Sequence, residues 1–104
     1  MKSFFINSDI EKYLLSLDSS SVSKTIRIIE LLEKYEYKLG MPYTKQIQKN
    51  LYELRIQGRQ NIRLFYCFHQ NKIVFVHAFI KKTNKTPSKE INTAIKRIKS
   101  LTHI

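Results

Sequence analysis

The hydrophobic positions of this chain follow two periods, and the change from one to the other divides it. Ile10, Tyr13, Leu14 and Leu17 recur at i, i+3, i+4 and i+7, the stripe of a short amphipathic helix. Val22, Ile26, Ile29 and Leu32, widened by Ile28, Leu31 and Tyr35, predict a longer helix that Gly40 and Pro42 terminate. From Leu51 the period falls to two. The run LYELRIQGRQNIRLFYCFHQNKIVFVHAFIKKTNK reads as three consecutive strands, with turns at Gly58 and at His69 to Lys72. Its third strand, Ile73 to Ile80, is almost wholly apolar, as expected of a central strand buried on both sides. The helical period then returns in Ile91, Ala94, Ile95, Ile98 and Leu101.

Local signals complete the pattern. Lys2 to Ile6 can form a short first strand. Asn7 and Ser8 both offer a cap for the first helix, and Ser8 with Glu11 has capping-box spacing. The serines after Asp18 cap the second helix, and Thr86 caps the last, with Pro87 at its first position. Met41 to Asn50 reads as a connector, and His103 falls in a tail after the last helix. The expected fold is α+β, an N-terminal helical hairpin packed on a twisted antiparallel sheet and followed by a C-terminal helix, in one domain over residues 1–104.

Composition narrows the class. With 42% hydrophobic residues and only 2 Gly and 2 Pro in 104, the chain belongs with globular rather than disordered sequences. No apolar run approaches the roughly 18 residues of a membrane span, and the first residues lack the pattern of a secretory leader. Cys67 stands alone, so no internal disulfide can form, and a small buried filler is its ordinary role. A cytoplasmic location, with no membrane partner, follows from these features as an expectation.

Charge changes the picture once it is located. Residues 1–44 hold 6 Lys and Arg against 6 Asp and Glu, whereas residues 45–104 hold 13 against Glu53 and Glu90 alone. The whole net charge of +11 therefore sits on the sheet and the C-terminal segment beyond it. Arg55 and Arg63 interrupt strands, and Lys81, Lys82 and Lys85 extend the third strand. By alternation Arg55 and Arg63 share a face with Glu53, opposite the face that the helical hairpin covers. Such a basic face fits a nucleic acid or another polyanion.

There is no HExxH, paired CxxC or glycine-rich phosphate loop, so metal and nucleotide cofactors have no motif to support them. Cations alone leave one route open. RNA carries its own nucleophile in the 2′-hydroxyl, and a protein can promote its cleavage by orienting that oxygen and neutralising the phosphate as charge develops. Guanidinium forks match phosphate oxygens two at a time.

The segments LYELRI, IRLFY and VHAFIKKTNKTPSKEINTA together resemble the phage-derived HigB-type branch of the RelE/ParE toxin superfamily. That branch shares an LYELR strand, an R-x-x-Y strand and a closing F-x-K-K-T-x-K-T-P-x-x-E-I-x-x-A run, matched here from Phe79 to Ala94. The resemblance spans essentially the whole chain and implies a RelE-like fold and ribosome-dependent cleavage of messenger RNA. It also implies neutralisation by a cognate helix-turn-helix antitoxin of the HigA type, with no small-molecule cofactor. It makes Arg55 and Arg63 phosphate clamps and gives Lys82, or its rival Lys81, the role of stabilising charge or moving a proton.

Two departures leave proton transfer open. Glu53 stands where many RelE-type nucleases keep a basic residue, and no tyrosine follows Tyr66. Glu53 can act as a base or hold a neighbouring arginine; His77 can transfer a proton or serve as a hydrogen-bonded core residue. Lys85, Lys89, Lys96 and Arg97 are assigned general attraction to RNA, against the alternative of a solvated helix face. Two other functions remain as alternatives: a ParE-like gyrase inhibitor, and a non-catalytic RNA- or antitoxin-binding domain.

Overall fold

The computed structural model of the chain describes residues 1–101, so His103 lies outside the described residues. The elements are β1 (Ser3–Phe5), α1 (Ser8–Leu15), α2 (Ser19–Tyr35), β2 (Thr44–Gln48), β3 (Leu51–Gln57), β4 (Asn61–His69), β5 (Lys72–Ile80) and α3 (Ser88–Leu101). The sheet has the order β1-β5-β4-β3-β2. Among the described residues, no helix is long and apolar enough to cross a membrane.

β3, β4 and β5 fall where the period-two pattern puts them, and the outer strands alter the expected picture. The chain opens on a strand rather than on a helical hairpin: β1 runs along β5 in parallel, with Phe4 opposite Val74. The sheet is therefore mixed, because α1 and α2 intervene and the other three pairings are antiparallel. The expected connector contains β2, which pairs with β3. Only Ile47 is apolar in TKQIQ, and an edge strand facing solvent has no core to impose alternation. β5 lies second from the edge, and β4 occupies the middle; helices on both sides bury β5.

The helix ends also differ from the spacing argument. Asn7, rather than Ser8 with Glu11, caps α1, its side chain accepting from the Ile10 N–H at 3.1 Å. Asp18 caps α2 by accepting from the Ser21 N–H at 3.1 Å, while the Ser20 and Ser21 hydroxyls donate to the same carboxylate at 2.7 Å. Those bonds to Ser21 and Ser20 hold the Asp18 carboxyl well down, at about 2. α2 stops at Tyr35, before Gly40, because Glu36 takes a left-handed φ of 55° and a short 3₁₀ turn follows. The buried line of α2 is Ser21, Thr25, Ile28 and Leu32, leaving Ile26 exposed beside Leu15.

Each face of the sheet carries its own core. Leu54, Ile56, Ile62, Leu64, Tyr66, Ile73 and Phe75 pack against Ile10 and Leu14 of α1 and Ile28 and Leu32 of α2. On the other face Leu51, Phe65, Cys67, Val74, Val76 and Phe79 meet Ile91, Ala94, Ile95 and Ile98 of α3, the stripe the sequence predicts. Cys67 is a filler in this layer, and burial pushes its thiol up to about 11.

A bulge sets the second face. Phe65 pairs with His77 and Tyr66 with Phe75, so β5 carries one extra residue, Val76. The carbonyl of Val76 takes a hydrogen bond from Arg97 Nη1 of α3 at 2.8 Å. A bulge leaves backbone groups without a ladder partner, and here a helix supplies one.

Candidate functional site

β3 and β4 place the two strand arginines directly opposite one another, Arg55 against Arg63. The Arg55 N–H points away from β4, donating to the Tyr43 carbonyl at 2.7 Å. The arginines therefore occupy a non-hydrogen-bonded pair, the closer of the two antiparallel spacings, and like charges there repel. Glu53, two residues from Arg55 on the same face, offsets the repulsion. Its Oε1 accepts from Arg55 Nε at 2.9 Å and lies 3.6 Å from Arg63 Nε. Only 1% of Glu53 is exposed and 6% of Arg63.

One carboxylate between two guanidinium groups leaves a positive charge unbalanced. Arg63 feels it most. Its Nη1 donates to the Ile62 carbonyl at 3.3 Å, while its buried Nε–H has no hydrogen-bond partner, since 3.6 Å to Glu53 is too long. Burial draws the Arg63 pKa below its ordinary value, Glu53 raises it and Arg55 lowers it again. A guanidinium nevertheless stays charged at neutral pH.

Arg63 opens onto a polar depression of about 230 Å³, which it lines with Asn61, Lys81, Lys82, Thr83 and Asn84. The Lys81 N–H donates to the Asn61 carbonyl at 2.7 Å, so β5 stays paired one residue past Ile80. Alternation from Phe79, the partner of Arg63, then puts Lys81 on the arginine face. Lys82 comes next, where the strand has ended, and is exposed. Arg63, Lys81 and Lys82 thus share one depression. Arg55 is not in its wall and joins the cluster through Glu53.

The remaining candidates lie elsewhere. Thr86, expected to cap α3, instead directs its hydroxyl towards Glu53 Oε2 at 3.5 Å, and α3 begins at Ser88. His77 Nε2 is 2.9 Å from Glu90 Oε1, and its Nδ1 is 3.3 Å from Arg97 Nη1. A guanidinium only donates, so Nδ1 accepts and the proton on Nε2 faces Glu90. Phe79 stacks on His77 at 5.8 Å, between it and the Arg63 position of the sheet. His77, Glu90 and Arg97 thus fasten α3 to β5. Lys85, Lys89 and Lys96 are exposed, whereas Arg97 is half-buried and committed to the sheet.

Sequence reasoning missed Asn61, Thr83 and Asn84. Asn61 precedes Arg63 by two residues on the same strand, and that spacing could have revealed it. Thr83 and Asn84 lie in a loop, where no period operates. Among the described residues, no group of three or more His, Cys, Asp or Glu side chains is arranged to hold a metal ion.

No curated protein matches this chain. Residues 12–99 match the family described as "Phage derived protein Gp49-like (DUF891)", a span that includes α2, the four strands β2 to β5 and nearly all of α3. The chain therefore belongs to the phage-derived Gp49-like family, a family of toxin-like proteins in the RelE/HigB-type class.

Proposed function

We propose that this protein is the toxin of a type II toxin–antitoxin pair and that it cleaves messenger RNA on the ribosome without a metal ion. The observation that carries the reading is Arg63: a buried cation with a stranded N–H, incompletely neutralised by Glu53, in the wall of a depression that also holds Lys81 and Lys82. The part of the Arg63 guanidinium that lines the depression can meet an anion, which balances the positive charge that Glu53 leaves uncompensated. A phosphodiester supplies that anion.

In the proposed reaction the RNA 2′-oxygen attacks the adjacent phosphorus and the bond from phosphorus to the 5′-oxygen breaks. The proton of the 2′-hydroxyl is removed and one is delivered to the 5′-oxygen, giving a 2′,3′-cyclic phosphate and a 5′-hydroxyl. Arg63 and Lys81 stabilise the negative charge that builds on the phosphate oxygens. Arg55, tied to Glu53, holds that carboxylate and adds positive potential from the neighbouring strand. Glu53 and His77 are engaged with arginine and helix partners, so the ammonium of Lys81 or Lys82 is the group left to donate a proton to the 5′-oxygen, and solvent water takes the proton of the 2′-hydroxyl. A cognate antitoxin would be the partner, as membership of a toxin-like family implies.

Induction of the wild-type chain and of Arg63→Ala in growing cells, followed by primer-extension mapping of transcripts, tests the reading. Wild type should produce new 5′ ends within translated messages, and the variant should reduce them by about 10²-fold or more. Intact transcripts in arrested cells would overturn the nuclease reading.

A further inference from the structure

A second basic depression lies on the other side of the β3–β4 turn. Its volume is about 440 Å³, and its charged lining residues, Lys24 and Arg27 of α2 and Arg59 of the turn, are all cations. Among the described residues, neither Arg27 nor Arg59 has an ion-pair partner. Lys24 Nζ donates to the Gln57 carbonyl, which pins the start of α2 to the turn. Gly58, Gln60 and three serines provide most of the remaining lining, with Ile56 its single apolar side chain. The Ser20 and Ser21 hydroxyls already donate to Asp18, so what this wall offers is its cations, with no carboxylate among its lining residues, and that suits an anion such as phosphate.

Consecutive residues of the chain line the two depressions. Gly58, Arg59 and Gln60 line this one, and the next residue, Asn61, lines the one shared by Arg63, Lys81 and Lys82. Asn61 is two residues from Arg63, about 7 Å of strand. A single strand with a phosphate at Arg63 that runs past Asn61 over the end of the sheet next meets Arg59, Arg27 and Lys24. We infer that this depression is a second phosphate subsite, which grips the RNA backbone flanking the phosphate at Arg63; the inference rests on the RNA reading above. Lys24 and Arg27, which by sequence belong to the solvated face of a helix, become part of the substrate track.

Binding of a fluorescein-labelled, single-stranded 2′-O-methyl oligonucleotide, which cannot be cleaved, tests this by anisotropy over a range of salt concentrations. The full chain is compared with Arg27→Ala/Arg59→Ala, with Arg63→Ala, and with Lys34→Ala/Lys38→Ala. The last pair removes the same charge near the far end of α2, Lys34 lying about 15 Å along the helix from Lys24. The Arg27/Arg59 variant should bind more weakly, with the slope of log K against log salt shallower by about 0.7 for each phosphate that is no longer neutralised. The Lys34/Lys38 variant should match wild type. Equal losses in the two double variants, or none in the Arg27/Arg59 variant while Arg63→Ala weakens binding, would overturn the subsite alone. Absence of salt-dependent binding by wild type, or full binding by Arg63→Ala, would overturn the RNA reading and the subsite with it.

Discussion

The two faces of the sheet are made by the same strands and end up with different contents. Beneath α1 and α2, the side chains of Leu54, Ile56, Ile62 and Leu64 are all at most 1% exposed, and the sheet contributes no charge to that layer. Beneath α3 the layer begins in the same way, with Phe65, Cys67 and Val76, but towards the β3–β4 turn it gives way to Glu53, Arg55 and Arg63. The first face is closed by hydrophobic burial throughout. The second is closed only where α3 reaches, and at its end cations held by one buried acid meet an open depression. One face is closed by apolar burial, and part of the other holds an incompletely paired charged cluster at some cost in stability.

The sharpest way to break this contrast is Glu53→Gln. Removing the only acid among these arginines leaves two opposed guanidinium groups uncompensated, one of them buried, and should cost about 3–5 kcal/mol in a urea melt. A loss below about 1 kcal/mol would show that Glu53 holds nothing together. On the closed face, Leu32→Ala removes a side chain with no exposed surface and should cost about 2–5 kcal/mol through lost burial and a residual cavity.

Arg63→Met sharpens the comparison from the opposite direction. It removes a stranded buried donor while Glu53 keeps Arg55, so stability should stay within about 1 kcal/mol of wild type or rise. Transcript cleavage should fall as it does for Arg63→Ala. A large loss of stability would instead make Arg63 a structural residue like those on the closed face.

The smallest effect is expected away from both faces, at Asp18→Ala. The folded Asp18 carboxyl titrates at about 2, below its ordinary 3.8, because Ser21 and Ser20 donate to its charged form. Its stabilisation is therefore complete above the ordinary value and declines as pH falls from 3.8 towards about 2. The difference in melting temperature between wild type and Asp18→Ala should be constant near neutrality and vanish at the acid end. A difference that persists unchanged at low pH would rule out the carboxylate as its source.

Legibility in the sequence followed the physics of each element. β3, β4, β5 and the apolar stripe of α3 were readable because each has a buried face, and burial writes a period into the chain. β2 was not, since an edge strand can satisfy half its backbone groups with water and tolerate TKQIQ. β1 could be read as a strand from Lys2 to Ile6, but its parallel pairing with β5 could not. The site divided in the same way. Alternation put Glu53, Arg55 and Arg63 on one face, and their types gave the chemistry. It said nothing of the backbone pairing that brings Lys81 to Asn61, or of the loop residues Thr83 and Asn84.

The sequence alone therefore determined the class of fold, the concentration of charge on the sheet half and the face that carries the arginines, because all three follow from residue order and side-chain type. Tertiary structure decided that Arg97 and Glu90 secure His77 to α3, that Arg63 is buried with an unpartnered N–H, and that Arg59 comes beside Lys24 and Arg27. These depend on distances between residues far apart in the chain. Such distances are fixed only when the helices settle on the two faces of the sheet and each buried polar atom finds, or fails to find, a partner.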